Sequence, residues 1–253
     1  MSEPTPVGNL EVTHLMLDAE KPCHHTYIRE REALVYALIG KIRVYANHQF
    51  LGTIGGRSSV TEPLAHVIRF PAGTTFQMTL VLEGFAADCL LVSCDALENR
   101  ATRLPYMHWN DAYFHHVGTG THQRRVGEVP TPPSFHVSCG ETFQEAGMVS
   151  SWPPHATQED LQNFHAGHTT WEEQFYVVCP EPAQTVLIGL YPGGKQVQET
   201  RMLMNGEIVP MPLGSHMVSS HPSSWMWYFW AYCGSALQKS YNKFSHNCHT
   251  YLK

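Results

Sequence analysis

An all-β chain of two jelly-roll barrels is what this sequence predicts, and three observations carry it. Apolar residues come in short runs closed by Gly, Pro, Asn or Ser, and long stretches of helical period are scarce. A Pro-x-Gly turn leading into a new strand occurs in each half, at Pro71-Ala72-Gly73 and at Pro212-Leu213-Gly214. The 253 residues, 43% hydrophobic and only 15% charged, suffice for one large core or two modest ones.

The strands follow in order. ALVYALIG (33–40) and KIRVYA (41–46) are apolar, rich in β-branched and aromatic residues, and broken by Gly40. HVIRFPAG (66–73) ends in the first Pro-x-Gly, and ADCLLVSC (87–94) follows. The second half repeats the style with EQFYVVC (173–179), TVLIGLY (185–191) and MWYFWAYC (226–233). Proline presets φ and glycine accepts positive φ, so each Pro-x-Gly reads as a tight turn between strands. The stretch 95–135 has few strand signals and carries Pro130, Pro132 and Pro133 near its end. The domains are therefore read as 1–110, a linker at 111–135, and 136–253. The first turn leads to apolar Phe76 where the second offers His216, and 33–46 has no His-x-His. The N-terminal barrel is thus expected to be degenerate and metal-free, with a packed apolar interior.

Several function classes are excluded by composition. A formal charge of −6 without any run of basic residues argues against a nucleic-acid partner. MSEPTPVGNL lacks the apolar core of a signal peptide, and no stretch of about 18 apolar residues exists, so neither export nor a membrane span is expected. Seven scattered cysteines without a CxxC pair suit free thiols in a reducing, cytoplasmic setting. Seventeen histidines against sixteen Lys plus Arg leave room for metal chemistry, although a site needs only three or four of them.

The chemistry concentrates in the second half. Gly206, five residues, then Pro212-Leu213-Gly214-Ser215-His216 has the form of the turn that delivers the last histidine of a cupin metal site. A looser first motif holds Trp152-Pro153-Pro154-His155, then His165 and His168, then Glu172-Glu173-Gln174-Phe175-Tyr176. Imidazoles with one carboxylate suit a divalent Zn, Mn or Fe ion. The candidate ligands are His155, His168, Glu173 and His216, with His165 the alternative to His168.

These residues resemble the 5-deoxy-glucuronate isomerase family of inositol catabolism. The likeness rests on Ser151-Trp152-Pro153-Pro154-His155, Glu172 to Tyr176 and Pro212 to Val218. It extends through Ile54-Gly55-Gly56-Arg57-Ser58-Ser59-Val60, Phe70 to Thr74 and Gly118-Thr119-Gly120-Thr121-His122-Gln123-Arg124. It is collinear over most of the chain. It implies a bicupin and a metal-dependent aldose–ketose isomerase taking 5-deoxy-glucuronate, a small sugar acid, to 2-deoxy-5-keto-gluconate. For that reaction the resemblance implies a proton carrier, for which Glu172 is the candidate, although adjacent strand residues point to opposite faces. It also implies a cation for the acidic substrate, for which Arg124, Arg57 and Lys239 are candidates, with Arg125 a further arginine beside Arg124. The family pattern has a second histidine where this chain has Thr157, and the C-terminal tail also departs, so this is a divergent member. Three alternatives stay open at this point: an isomerase or epimerase of another keto- or uronic sugar, an Fe-dependent cupin dioxygenase, and a metal-free binding bicupin. Association with copies of itself is also left open.

Overall fold

The computed structural model describes residues 10–80, 86–95, 108–132, 135, 137–156, 171–180, 185–190, 197–210 and 215–234. Apart from one 3-10 turn, the regular structure among them is β-strand. The chain divides into two compact units, Met1–Tyr113 with Gly127–Cys139, and Phe114–Val126 with Gly140–Lys253.

The first unit carries β1 (Glu11–Asp18), β2 (Cys23–Ile28), β3 (Arg31–Ile39), β4 (Lys41–Ala46), β5 (Gln49–Gly55), β6 (His66–Phe70), β7 (Thr74–Leu80), β8 (Ala86–Asp95) and β9 (His108–Asp111). They form two sheets, β1-β8-β3-β6-β9 and β2-β7-β4-β5. The period of two in each strand decides what faces inward. Ala33, Val35 and Ala37 of β3 meet Ile42, Val44 and Ala46 of β4, and Phe70, Phe76 and Met78 close the same core. Phe76 is 1% exposed and stacks on Phe70 at 4.2 Å between centroids. The interior is therefore apolar, as the sequence predicts. Thr74, Phe76 and Met78, all buried, share one face of β7. Counted from Gly73 and Gly214, position 216 corresponds to Thr75, on the other face. The two turns are out of step by one residue, so Phe76 does not replace a histidine position for position.

The return segment 127–139 belongs to this first unit and is held by charge. Arg69, fully buried, donates from Nη1 to the Val137 carbonyl and from Nη2 to the Thr131 hydroxyl at 3.2 Å, and lies 5.9 Å from the Phe135 ring. Buried Glu32 accepts the Val137 N–H at 2.7 Å.

The remaining elements are β10 (Tyr113–Val117), the 3-10 turn Gly120–His122, β11 (Arg124–Val129), β12 (Val137–Gln144), β13 (Val149–Ala156), β14 (Trp171–Val178), β15 (Thr185–Leu190), β16 (Val197–Leu203), β17 (Ile208–Pro210), β18 (Ser215–Ser219) and β19 (Met226–Gly234); apart from Tyr113, 127–129 and 137–139 they belong to the second unit. Its sheets run β10-β11-β12-β19-β14-β17 and β13-β18-β15-β16. The stretch read as a linker thus contains β10, the 3-10 turn and β11. Its strand signal is weak because charged residues sit in it. The Arg125 guanidinium carbon nevertheless lies over apolar rings, 5.8 Å from the centroid of Phe114 and 5.0 Å from that of Phe143. The core of this unit joins Phe175 and Val177 to Leu203, Val209, Val218, Met226 and Tyr228. Among the described residues no helix is long and apolar enough to cross a membrane.

Candidate functional site

Strand alternation selects the inward side chains. On β14 the core residues are Phe175 and Val177, so Glu173 lies on the same inner face, and it is only 2% exposed. On β19 the inner face carries Met226, Tyr228, Trp230 and Tyr232. The antiparallel register opposes Val177 to Tyr228, Phe175 to Trp230 and Glu173 to Tyr232. Phe175 and Tyr228 stack at 4.8 Å, and Trp230 and Tyr232 at 5.8 Å.

One end of this barrel is tied shut. The turns at 145–148 and 220–225 bond to each other: Gly147 N–H donates to His221 C=O and Ser220 N–H to Met148 C=O, both at 2.9 Å. The Ser220 hydroxyl donates to Glu145 C=O at 2.6 Å. Just inside, the Ser150 and Tyr228 hydroxyls bond at 2.8 Å, and the Gln144 amide donates to Met148 C=O at 3.0 Å. β13 and β19 run away from this end, and β18 runs towards it. Position 155, position 216, Glu173 and Tyr232 are therefore all displaced towards the opposite end.

The pairing of β13 with β18 brings two histidine positions together. Ser150 opposes Val218, and His155 opposes His216. Five residues advance on β13 while two advance on β18, so a bulge lies between. The cause is in the sequence: Pro153 and Pro154 have no N–H to give to the ladder. The period of two puts position 216 on the face of β18 that carries core residue Val218. The bulge thus restores His155 to register with it.

The other expected residues divide. Glu172 lies on the opposite face of β14 from Glu173, where the Cys233 thiol approaches its carboxylate at 3.9 Å. Two neighbouring strand residues cannot share one cavity, so the structure does not bring Glu172 to this site. Arg124 precedes Arg125, which lies over Phe143. Phe143 in turn meets Trp225, beside the closed end, at 5.9 Å. Tyr232 is seven residues further along from Trp225, about 20 Å at strand rise. Arg124 is therefore at the wrong end for Glu173, and its Nη1 donates to His122 C=O at 3.1 Å. Arg57 is 1% exposed in the first unit, where Nε donates to Leu38 C=O and the guanidinium lies 5.8 Å from the Tyr36 ring. It is a packing residue there. Sequence reasoning could not see either placement, because both depend on register between distant strands. His165, His168, Thr157 and Lys239 lie outside the described residues.

Among the described residues no three His, Cys, Asp or Glu side chains form a ready metal cluster; positions 155 and 216 are described by backbone alone. The donor chemistry still fits a divalent ion. Two opposed histidine positions and the buried carboxylate of Glu173 make a nitrogen–oxygen set of the kind divalent ions take. Trp230 and Tyr232 were missed by sequence reasoning. Their signal was the alternation within MWYFWAYC, which gives a face but not what that face meets.

Comparison with known proteins agrees with this architecture. The family model KduI/IolB matches residues 4–252. The chain is 24% identical over 197 residues to the 5-deoxy-glucuronate isomerase of Geobacillus thermodenitrificans, covering 76% of this chain and 69% of that one. It is 26% identical over 192 residues to the protein of the same name from Shouchella clausii, covering 74% and 68%. Among solved structures it is similar to an IolB-like protein of Salmonella typhimurium, with TM-score 0.78 and 21% identity over 92% of this chain and 86% of that one. Oxalate decarboxylase of Bacillus subtilis, a protein described with Mn(II) centres, is similar in fold at TM-score 0.60 and 11% identity, covering 92% and 71%.

Proposed function

The chain belongs to the KduI/IolB family, and from that membership we propose that it is a sugar-acid isomerase, converting 5-deoxy-glucuronate to 2-deoxy-5-keto-gluconate. What supports the reading is that His155 and His216 are opposed in the β13–β18 register and that Glu173 is buried on the inner face of β14. Directly opposed residues of an antiparallel pair lie roughly 5 Å apart, close enough for one ion to reach both. We assign the divalent ion to His155, His216 and Glu173, with His168 as fourth ligand; the segment bearing it joins Ala156 to Trp171. When bound, such an ion polarises the sugar's oxygens and stabilises negative charge on them.

The chain's own residues do the rest. Isomerisation moves a hydrogen between the hydroxyl-bearing carbon and the neighbouring carbonyl carbon, through an enediol. The aromatic inner wall of Phe175, Trp230 and Tyr232 keeps bulk water from this intermediate. The substrate carboxylate needs a cation at the same end. Lys239 follows the last residue of β19 by five positions, a span of at most about 17 Å, and takes the role in place of Arg124. With Glu172 turned away, the proton carrier belongs to the same mouth, and the histidine-bearing segment before Trp171 is the source we assign.

The test is metal content followed by turnover. The purified chain should hold one divalent ion and isomerise 5-deoxy-glucuronate. His216→Ala should lose most of the metal and activity while keeping its melting transition, because the core beneath is apolar. A wild-type chain that is metal-replete but inert on this sugar, or full metal retention in the variant, would sink the assignment.

A further inference from the structure

Inside the second barrel the inner-face residues near the closed end are sealed: Met226 and Val177 are fully buried, and Phe175 and Tyr228 are 1% and 3% exposed. Two rungs further along β19 this changes. Tyr232 is 8% exposed and Trp230 only partly buried; both lie on the same inner face, and Trp230 packs against the main core on one side and against Tyr232 on the other. Their rings stack, 15° from parallel with centroids 5.8 Å apart. Glu173 is directly across from Tyr232, and Phe175 directly across from Trp230. Trp230, partly exposed at the end of an inner face that is otherwise buried, offers a place where a ligand apolar on one side can lie.

We infer that Trp230 and Tyr232 form the substrate-binding wall of this site, the paired rings receiving the C–H face of the sugar chain and the Tyr232 hydroxyl bonding one of its oxygens beside Glu173. The inference rests on the isomerase reading and adds to it the residues that recognise the sugar. Two features of a deoxy sugar acid suit the wall. Removing one hydroxyl leaves a CH2 group whose hydrogens pack on a ring face without a lost hydrogen bond. The remaining hydroxyls lie on the other side, towards the polar positions 155, 173 and 216. A fully hydroxylated sugar would bring an oxygen onto the rings and strand it there. The wall therefore discriminates for the deoxy sugar.

The experiment uses the full-length, metal-loaded chain with 5-deoxy-glucuronate as substrate, and its aldehyde-reduced alcohol as a ligand that cannot turn over. Tyr232→Phe removes one oxygen and leaves the packing. It should raise KM, and the dissociation constant of the alcohol, about tenfold, with kcat changed less. Trp230→Leu should weaken binding further and erase the ligand-induced change in tryptophan fluorescence. It should also narrow the preference for 5-deoxy-glucuronate over glucuronate. If wild type binds the alcohol and Tyr232→Phe binds it equally well with an unchanged KM, the wall is wrong and the isomerase reading stands. If wild type neither binds the alcohol nor turns over the sugar, the reading falls and takes this inference with it.

Discussion

Single residues show how environment, more than identity, sets behaviour in this chain. Burial pushes the Cys89 thiol up to about 12 and the Cys139 thiol up to about 11, so both stay protonated at neutral pH. His24, on the inward side of β2, donates or accepts with the Thr26 hydroxyl at 2.6 Å. Partial burial lowers its pKa below the usual 6.5, and neighbouring His25 lowers it further. The sign follows from linkage. As pH falls below about 6.5 the unfolded chain takes up this proton first, so stability is lost in that interval until the folded imidazole also protonates. His24→Gln should flatten the fall in denaturant midpoint between about pH 7 and about pH 5; identical slopes in variant and wild type would remove His24 from the account. The inward, buried position of Glu173 was legible from a strand that alternates. The surroundings of Arg124 were not legible, because they depend on the register of β11, β12 and β19 across one sheet.

At the scale of strands and turns, two devices matter. The bulge at Pro153-Pro154 aligns His155 with His216, and it was legible as a rigid lead-in but not as a register shift. The second device is at Gly55, with φ +90°, where a Cβ would sit 2.2 Å from the Gly40 carbonyl oxygen. Gly56 N–H donates to that same oxygen at 2.7 Å, and Gly40 N–H donates to Arg57 C=O at 3.0 Å. The crossing of the two segments leaves no room for a side chain. Gly55→Ala should cost about 3 kcal/mol, from backbone strain and displacement together. Gly73→Ala, at φ +80° with nothing within 4 Å of the added Cβ, should cost about 1 kcal/mol from conformation alone. Thermal melts of the pair check this; equal losses would show that the crossing relaxes freely. The seven runs read as strands are all strands here. Two of those overlooked, β2 (CHHTYI) and β10 (YFHHV), are short and polar, and are held by neighbours instead of by their own pattern.

For the whole molecule, duplication was legible in the repeated Pro-x-Gly, whereas the division of the chain was not. Composition suggested a simple passage through a linker. The chain instead gives 114–126 to the second unit, returns 127–139 to the first, and then stays with the second. A fragment ending at 113 leaves buried Arg69 and Glu32 without the Val137 peptide that both bind. Such a fragment should show no cooperative melting transition, while the intact chain does; a cooperative melt near the intact chain's temperature would show the return segment to be dispensable. The same crossing has a consequence for the order of events on the ribosome. Residues 114–139 take roughly 1–5 s to synthesise at ordinary elongation rates. Throughout that interval the first barrel has its strands but not its closure, and half of what emerges belongs to a barrel not yet made. The nascent chain has to wait with a cation and an anion exposed on an unfinished face, so slowing translation over 114–139 should lengthen the period in which chaperones bind it.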